Sequence, residues 1–438
     1  MRSISPGSRR TARRLPFLLL CLIPAALLAQ DPLAARLQPL VTAPPLDHAI
    51  AGVRVVELQT GRVVFDYRGN TPFTPASNTK LFTGAFALAK LGSNYRFHSS
   101  VRAAAEPDAA GIVHGSLTLV AGGDPTLSGR VYPHQSCHKT GDAGPALREL
   151  AQHVAGRGVK RIEGDIVGDD TRYPYQPYGP EWTVDDTQEG GEAPVSAWMI
   201  DDNVTGSGDD ERGVRDPALA VAGRFRQALL DAGIEVQGQA RARHRLPNNP
   251  LPETAGAVEL ASRTSPPFNQ ILQMMEKCSV NLHAESLLLE AAYQVHGDLL
   301  SRSQALDDAR SFFASKGVPA DQFEFHDGSG LSHANMVTPA AVTALLLAIQ
   351  SAPWRDSFLQ ALSIGGVDGT LEHRFAGDPA AQQIRAKTGT LRHVAALSGY
   401  AGHRFAFSIL VNQFFPGEHA AVVKAIDTIA VEIAQAAE

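Results

Sequence analysis

Apolar positions near the start of the chain first form two short runs and then recur over a helix length. Residues 53–58 and 63–68 are strand-like runs on either side of a Gly-containing turn, and they predict a β-hairpin. A longer apolar run follows Pro75 and stops at Gly92. The proline before it and the glycine after it predict a largely buried helix.

The middle of the chain has a different pattern. Residues 96–260 contain short strand-like pieces separated by turns, which predicts one or two inserted, mostly β domains. Helix-spaced apolar positions then return, and the chain closes with strand-like runs and an amphipathic helix at about 419–436. Strands at both chain ends predict an α+β domain in which segments 30–95 and 261–438 share one sheet.

The first 29 residues have the pattern of a secretory signal peptide. Five arginines precede an apolar run at 15–28, and the small residue Ala29 follows at the expected cleavage position. The run is too short and too bounded to predict a membrane-spanning helix. We therefore expect residues 1–29 to be removed and the rest of the chain to be exported.

Composition limits the classes of function. With 438 residues, 44% hydrophobic and 19% charged, the chain is long enough for two or three ordinary globular domains. Its net charge is −6, and loss of the arginine-rich leader makes the remainder more acidic. An acidic exported protein is a poor partner for nucleic acid or anionic lipid, so we expect no nucleic acid partner, and nothing in the sequence indicates a peripheral membrane contact.

The cysteines and histidines give little reason to expect crosslinks or metals. Only Cys137 and Cys278 remain after the leader, and the sequence does not show that they meet. An exported protein could form one disulfide between them, but we predict that both stay unpaired. The fifteen histidines include no His-Glu-x-x-His or other paired ligand spacing. We expect no metal and no cofactor.

The predicted buried helix carries a serine and a lysine on one face. Ser77 lies in its first turn and Lys80 follows three residues later. Burial favours a neutral amine, and a neutral lysine beside a hydroxyl is a general base beside a nucleophile. Average composition gives about one or two Ser-x-x-Lys matches by chance in a chain of this length. A second match does occur, from Ser136 to Lys139, where nothing predicts a buried helix.

Two further short motifs follow along the chain. Ser-Val-Asn at 279–281 lies between two helix-spaced runs. Lys-Thr-Gly-Thr at 387–390 ends a strand-like stretch before a predicted hairpin, as an edge strand lining a cleft requires. Each motif is weak alone, because Ser279 and Asn281 could simply cap the following helix and Lys-Thr-Gly recurs in an evident loop at 139–141.

Taken in this order, the three motifs resemble those of the penicillin-binding serine acyltransferases, in which they line one cleft. More narrowly, the chain is similar to the D-alanyl-D-alanine carboxypeptidase/endopeptidase family of class C low-molecular-mass penicillin-binding proteins. The resemblance extends to Gly-Gly-Asp-Pro at 122–125, Ala-Pro-Val-Ser at 193–196, Asp-Gly-Ser-Gly-Leu-Ser at 327–332 and Gly-Val-Asp-Gly-Thr-Leu at 366–371. It implies a β-lactamase/transpeptidase-like domain, with an antiparallel sheet flanked by helices, that the middle region interrupts.

The resemblance implies catalytic roles for three residues. Ser77 would attack the carbonyl carbon of a D-Ala-D-Ala peptide bond, with Lys80 as the general base, and form a covalent acyl-enzyme. Ser279 would pass the proton to the leaving amine. The implied partners are peptidoglycan stem peptides, with β-lactam antibiotics as covalent inhibitors, and the implied compartment is the periplasm.

Five more residues are implied to bind the substrate. Asn281 would hold the substrate amide and the general base, and Lys387 and Thr388 would hold the terminal carboxylate. Gly389 would leave room for the substrate backbone along the strand. The N–H of Thr390 would form the oxyanion hole together with the N–H of the nucleophile.

Two details qualify the resemblance. Val280 stands where the family usually has Asp, and we expect its side chain to point away from the cleft. The segment from Asp327 to Gly330 is expected to form a tight structural turn, with the Ser329 side chain as a less favoured cleft residue.

Two other functions stay open on the sequence alone. A β-lactamase shares the three motifs but hydrolyses its acyl-enzyme quickly; the large insertion and the lack of a clear catalytic glutamate between the second and third motifs argue against it. A non-catalytic wall-binding scaffold could keep the fold, and the complete motif set argues against that. Acyl-enzyme lifetime separates the first alternative and penicillin labelling separates the second.

Overall fold

The structure is a computed structural model that describes residues 31–183, 193–206, 211–252 and 258–437, together with residues 1, 3 and 7. The signal peptide predicted at 1–29 lies almost wholly outside the described residues. Within the described ranges, no helix has both the length and the apolar character that a membrane span requires.

Helices and strands are numbered here in chain order over the described residues. The helices are α1 (Pro32–Leu40), α2 (Thr79–Leu91), α3 (Gly144–Gly156), α4 (Pro217–Asp231), α5 (Phe268–Cys278), α6 (Asn281–His296), α7 (Arg302–Ser315), α8 (Pro339–Ile349), α9 (Arg355–Ala361) and α10 (His419–Gln435). The strands are β1 (Ile50–Glu57), β2 (Val63–Tyr67), β3 (His98–Ala103), β4 (Ile112–Val113), β5 (Leu117–Val120), β6 (Arg161–Ile162), β7 (Ile166–Asp169), β8 (Val204–Thr205), β9 (Arg212–Gly213), β10 (Glu235–Val236), β11 (Ala240–Arg243), β12 (Val258–Thr264), β13 (Phe323–Glu324), β14 (Met336–Val337), β15 (Ser363–Ile364), β16 (Ile384–Leu391), β17 (Val394–Ala401) and β18 (Phe405–Asn412).

A six-stranded antiparallel sheet joins the two ends of the chain. Its strand order is β15-β16-β17-β18-β1-β2, so the predicted first hairpin lies beside the last strand. Val53 of β1 is opposite Ile409 of β18. The predicted α+β fold, with an antiparallel sheet flanked by helices, is confirmed.

The two faces of this sheet are covered by different helices. Leu397 and Ile409 are opposite each other and belong to an apolar cluster that includes residues of α1 and α10. Their chain neighbours Ala396 and Leu410 belong to a second cluster that includes residues of α2 and α8. Successive strand residues point to opposite faces. Because both faces are buried, β17 and β18 are mostly apolar instead of alternating between apolar and polar residues.

The middle region contains strands and also two helices. A mixed five-stranded sheet has the order β11-β7-β5-β3-β12, and β12 lies antiparallel beside β3. The sequence analysis did not predict α3 or α4. The signal for α4 was present, since Asp216 caps it by accepting a hydrogen bond from the Leu219 N–H and Pro217 occupies the first position. The division of the chain at residues 96 and 260 stays a prediction.

Helix α2 is held in the interior by an aromatic cluster. The Phe82 ring lies 5.1 Å from that of Phe313, 5.0 Å from that of Phe325 and 5.4 Å from that of Phe323, measured between ring centroids. Phe82 is buried, and truncating a buried phenylalanine typically costs about 3–5 kcal/mol. This packing fixes the helix that carries Lys80.

Candidate active site

Ser77 lies in a short 3-10 turn that leads directly into α2. The turn spans Ala76–Asn78, and Ala76 has a left-handed backbone with φ of 48°. Ser77 is half-buried, whereas Lys80, in the first turn of α2, is wholly buried. The α-helix therefore begins just after the serine, at Thr79, instead of including it as predicted. The half-buried position leaves the Ser77 hydroxyl at the boundary between the interior and the solvent.

The Lys80 ammonium nitrogen contacts three parts of the chain that are far apart in sequence. Its Nζ atom lies 2.9 Å from Ser77 Oγ. It also donates to Asn281 Oδ1 at 2.5 Å and to the Ser329 carbonyl oxygen at 2.6 Å. Asn281 Oδ1 and the Ser329 carbonyl oxygen can only accept hydrogen bonds. The first and second motifs therefore meet at one nitrogen atom.

Ser279 occupies the junction between α5 and α6. It follows Cys278, the last residue of α5, and has a left-handed backbone with φ of 57°. Val280 takes the N-cap position of α6, and its side chain makes no capping hydrogen bond. The N-cap position of α6 therefore belongs to Val280, and not to Ser279 or Asn281.

Lys387 connects the third motif to the second. Its side chain is wholly buried, and its Nζ atom donates to Ser279 Oγ at 2.9 Å and to the Thr388 carbonyl oxygen at 3.1 Å. Burial and the neighbouring charge of Lys80 lower the pKa of Lys387, and the charge of Glu276 opposes that change. Asn78, inside the first motif, donates to the Lys387 carbonyl oxygen at 3.1 Å.

The outer edge of β16 is open beside the third motif. β15 pairs only with Arg385 and Ala386, so the strand from residue 387 onward has no neighbour on that side among the described residues. The Thr388 hydroxyl donates to Thr370 Oγ1 at 2.9 Å, and Thr390 is exposed on the same strand. An open edge is the geometry that strand-like binding of a peptide requires.

The structure gives a second reason for a glycine at position 389, besides the room for a substrate backbone that the resemblance implies. A Cβ atom at this position would lie 2.6 Å from the Pro75 carbonyl oxygen, just before the turn that carries Ser77. Real Cβ atoms do not approach backbone oxygens so closely. A side chain here would therefore push β16 away from the turn that carries Ser77.

The loop from Asp327 to Gly330 supplies a partner that the sequence analysis missed. Its contact with Lys80 is made by the Ser329 carbonyl, while the Ser329 side chain is wholly buried. Glu285 Oε1 accepts hydrogen bonds from the Gly328 N–H at 2.9 Å and from the Ser329 N–H at 2.8 Å. Glu285 therefore holds the loop in the position where the Ser329 carbonyl oxygen contacts Lys80 Nζ. The Asp-Gly-Ser-Gly pattern was the only sequence signal for this contact.

Cys137 and Cys278 form a disulfide, so the prediction that both stay unpaired is wrong. Their Cα atoms are 5.2 Å apart although 141 positions separate them in sequence. Contacts over such a separation depend on the tertiary fold and leave no local pattern. His134 Nε2 lies 3.7 Å from Cys137 Sγ, and the three residues form a cluster of metal-ligand type. The two sulfur atoms are bonded to each other, so they are not available as thiolate ligands.

The second Ser-x-x-Lys match lies in irregular chain around Cys137 and is not part of a helix. Ser136 is exposed, and the Lys139 ammonium pairs with the Glu211 carboxylate at 3.0 Å. A cavity of about 250 Å³ next to this segment is lined by Ser279, Val280 and Asn281, and by charged residues of the middle region. Those charged residues are Arg130, Lys139, Asp202 and Glu211.

The chain is similar to known proteins over most of its length. A family model described as the D-Ala-D-Ala carboxypeptidase 3 (S13) family matches residues 33–210 and 208–435. A D-alanyl-D-alanine carboxypeptidase of Actinomadura sp. (strain R39) is 29% identical over 514 residues, which cover 98% of this chain and 91% of that protein. A carboxypeptidase of Mycobacterium tuberculosis is also 29% identical, over 90% of this chain and 83% of its own length.

The fold is also shared with a solved structure. The crystal structure of penicillin binding protein 4 from Haemophilus influenzae aligns with a TM-score of 0.75 at 22% identity. The alignment covers 90% of this chain and 97% of that one.

Proposed function

This chain belongs to the D-Ala-D-Ala carboxypeptidase 3 (S13) family, and we propose that it hydrolyses D-Ala-D-Ala peptide bonds of peptidoglycan stem peptides through an acyl-enzyme on Ser77. On uncross-linked peptides the reaction is a DD-carboxypeptidase reaction, and on cross-linked peptides it is a DD-endopeptidase reaction. β-Lactam antibiotics acylate the same serine. The reaction uses side chains and backbone groups and needs no cofactor.

The contact between Lys80 Nζ and Ser77 Oγ carries this proposal. A neutral amine has two N–H donors and one lone pair. The carbonyl oxygens of Asn281 and Ser329 accept from Lys80, which leaves the lone pair for the Ser77 hydroxyl proton 2.9 Å away. General-base assistance of this kind contributes about 10²–10⁴ in rate.

The chemical steps follow from that contact. Ser77 Oγ attacks the carbonyl carbon of the scissile bond while its proton moves to Lys80 Nζ. The tetrahedral intermediate collapses, the C–N bond breaks, and the Lys80 proton passes through the Ser279 hydroxyl to the leaving D-alanine nitrogen, which leaves Lys80 neutral again. Water then attacks the Ser77 ester and gives a proton to the neutral Lys80. The C–O bond to Ser77 breaks, Ser77 Oγ takes that proton back from Lys80, and the shortened peptide leaves. The N–H groups of Ser77 and Thr390 stabilise the oxyanion during both acylation and deacylation.

The third motif binds the substrate in this proposal. The Lys387 ammonium and the Thr388 hydroxyl hold the terminal carboxylate, and Asn281 holds the substrate amide. The open edge of β16 supports this assignment, because an extended peptide adds to such an edge by main-chain hydrogen bonds. The cavity beside Ser279 leaves space for the rest of the stem peptide.

Export to the periplasm is part of the proposal. The arginine-rich, apolar pattern of residues 1–29 supports it, and so does a disulfide, which persists in oxidising compartments. Mass spectrometry of the mature protein from a periplasmic extract should give an N-terminus after Ala29. An uncleaved protein in the cytoplasm would contradict this part.

Labelling with a fluorescent penicillin tests the nucleophile. The wild-type protein should be labelled and Ser77→Ala should not. Ser136→Ala is the matched control, because it removes the serine of the other Ser-x-x-Lys match, and it should be labelled like wild type. A wild-type protein that is never acylated would favour the scaffold alternative, and an acyl-enzyme that turns over rapidly would favour the β-lactamase.

Purified muropeptides test the substrate. Incubation with uncross-linked pentapeptides should release one D-alanine per molecule, and incubation with cross-linked dimers should give monomers, both detected by mass. Neither product should form with Ser77→Ala. Penicillin labelling without either product would restrict the proposal to β-lactam binding.

A further inference from the structure

Glu276 is a wholly buried carboxylate behind the candidate active site. It lies on α5, three residues before Ser279, and its side chain has no exposed surface. Over the part of the chain that the structure describes, neither of its carboxylate oxygens has a hydrogen-bond partner. A buried polar group without hydrogen bonds costs stability, so its presence calls for an explanation.

The Glu276 carboxylate lies against Gly84 of α2, the helix that carries Lys80. A Cβ atom at Gly84 would lie 2.7 Å from Glu276 Oε1, so a side chain there would displace the acid from its present position. Gly84 follows Lys80 by four residues and therefore lies on the same helix face, one turn further along. The carboxylate thus approaches α2 on the face that carries the proposed general base.

Two lysines supply the charges that act on this carboxylate. Burial raises the pKa of Glu276, and the charges of Lys387 on β16 and Lys80 on α2 oppose that rise. α6 and α9 also pack against α5, and among the described residues they add no further charge to this set. On its own helix, the neighbouring Lys277 is paired with Asp368 at 2.6 Å.

We propose that Glu276 is a positioning residue whose carboxylate determines how many protons Lys80 and Lys387 hold between them. The inference rests on the proposed function, in which Lys80 must be neutral to accept a proton while Lys387 must be charged to hold a carboxylate. An ionised Glu276 balances one lysine charge in this buried site. It also stabilises the ammonium that Lys80 becomes when Ser77 attacks.

The pH dependence of acylation separates this role from a purely structural one. The second-order rate constant for acylation by a fluorescent penicillin should rise as Lys80 loses its proton and fall as Lys387 loses its proton. Glu276→Gln removes a negative charge that favours both ammonium forms. Both limbs of the profile should therefore move toward lower pH, by about one unit, as expected for loss of one nearby opposite charge.

Two further variants complete the experiment. Glu276→Asp keeps the charge, so its limbs should stay close to those of wild type. Glu290→Gln is the matched control: Glu290 is another wholly buried glutamate, on α6, bound to Arg172 and Tyr173, and its loss should leave the limbs in place.

The outcomes are distinct. Limbs that stay in place in Glu276→Gln, or that move toward higher pH, overturn the inference. A wild-type protein that is not acylated overturns the proposed function instead. If Glu276→Gln does not fold, wild-type protein labelled with ¹³C at the glutamate carboxyl carbons gives the answer. One carboxyl resonance should titrate in the pH range of the acid limb, and the lack of such a resonance overturns the inference.

Discussion

The disulfide between Cys137 and Cys278 ties the middle region of the chain to the residue just before Ser279. Cys278 ends α5, and the chain turns through a left-handed residue at Ser279 before α6 begins. Ser279, whose hydroxyl Lys387 contacts, therefore lies between the disulfide-bonded Cys278 and the first turn of α6. A link outside the three motifs thus restrains the second motif.

Removal of this disulfide should lower both stability and acylation rate. In the chain-entropy model a closed loop of this size is worth about 4–5 kcal/mol, and loss of a native disulfide typically costs about 2–5 kcal/mol. The double variant Cys137→Ala/Cys278→Ala should unfold at lower urea concentration and react more slowly with penicillin. Wild type treated with a reductant should behave in the same way. Unchanged acylation in a folded double variant would show that the bond serves stability alone.

Glu285 should matter to the reaction through the loop that it holds. Glu285→Ala removes the acceptor for two buried N–H groups, and it leaves Arg302, whose Nε atom lies 3.6 Å from Glu285 Oε2, without that carboxylate. Breaking a buried ion pair typically costs about 3–5 kcal/mol. We expect a loss of that order in urea unfolding and a slower acylation, since the Ser329 carbonyl is no longer fixed against Lys80.

Glu285→Gln separates the two effects. The amide oxygen still accepts from the loop, whereas the charge opposite Arg302 is gone. This variant should lose stability but keep most of its acylation rate. Equal loss of acylation in Glu285→Ala and Glu285→Gln would contradict a role for the loop contact.

His244 should make stability depend on pH in the alkaline range. Its Nδ1 atom lies 2.8 Å from Asp170 and its Nε2 atom 3.1 Å from Asp216. These carboxylates, Asp170 first, raise the pKa of His244 to about 9, against an ordinary value of 6.5. The folded state thus binds the proton more tightly, so the stabilisation is complete below about pH 6.5 and is lost as pH rises through 9.

The difference in melting temperature between wild type and His244→Gln measures this contribution. It should be larger at pH 6 than at pH 9.5. His403→Gln is the control, because His403 is exposed in the turn after β17, and its difference from wild type should be small at both pH values. A difference for His244→Gln that grows toward pH 9.5 would contradict the assignment.

Local patterns could predict part of this site and could not predict the rest. Ser77 and Lys80 are neighbours through helix geometry, so their spacing alone brings them together. Three other contacts join segments that only the tertiary fold brings close: the Cys137–Cys278 bond, the Ser329 carbonyl with Lys80, and Glu276 with Gly84. The hairpin of β1 and β2 was predictable for the same local reason, since two short apolar runs around a turn specify a hairpin.

Val280 stands where the family resemblance implies Asp, and the structure predicts a mild effect of the substitution Val280→Asp. Val280 occupies the N-cap of α6 with an extended backbone (φ −69°, ψ 114°) and no side-chain cap. Asp is a favoured N-cap residue, worth about 0.5–2 kcal/mol over an uncapped start, and its charge suits the helix N-terminus. Val280→Asp should therefore raise the urea midpoint.

Acylation in this variant should stay within about threefold of wild type, or about 0.7 kcal/mol of activation free energy, since Ser279 and Asn281 keep their backbone positions. Val280→Ala is the matched control, because it shortens the side chain without adding a cap, and it should not be stabilised. The new carboxylate would share a cavity with Arg130 and Lys139, whose charges are already paired with Asp202 and Glu211. A tenfold or larger loss of acylation in Val280→Asp alone would mean that the added charge reaches the reacting groups.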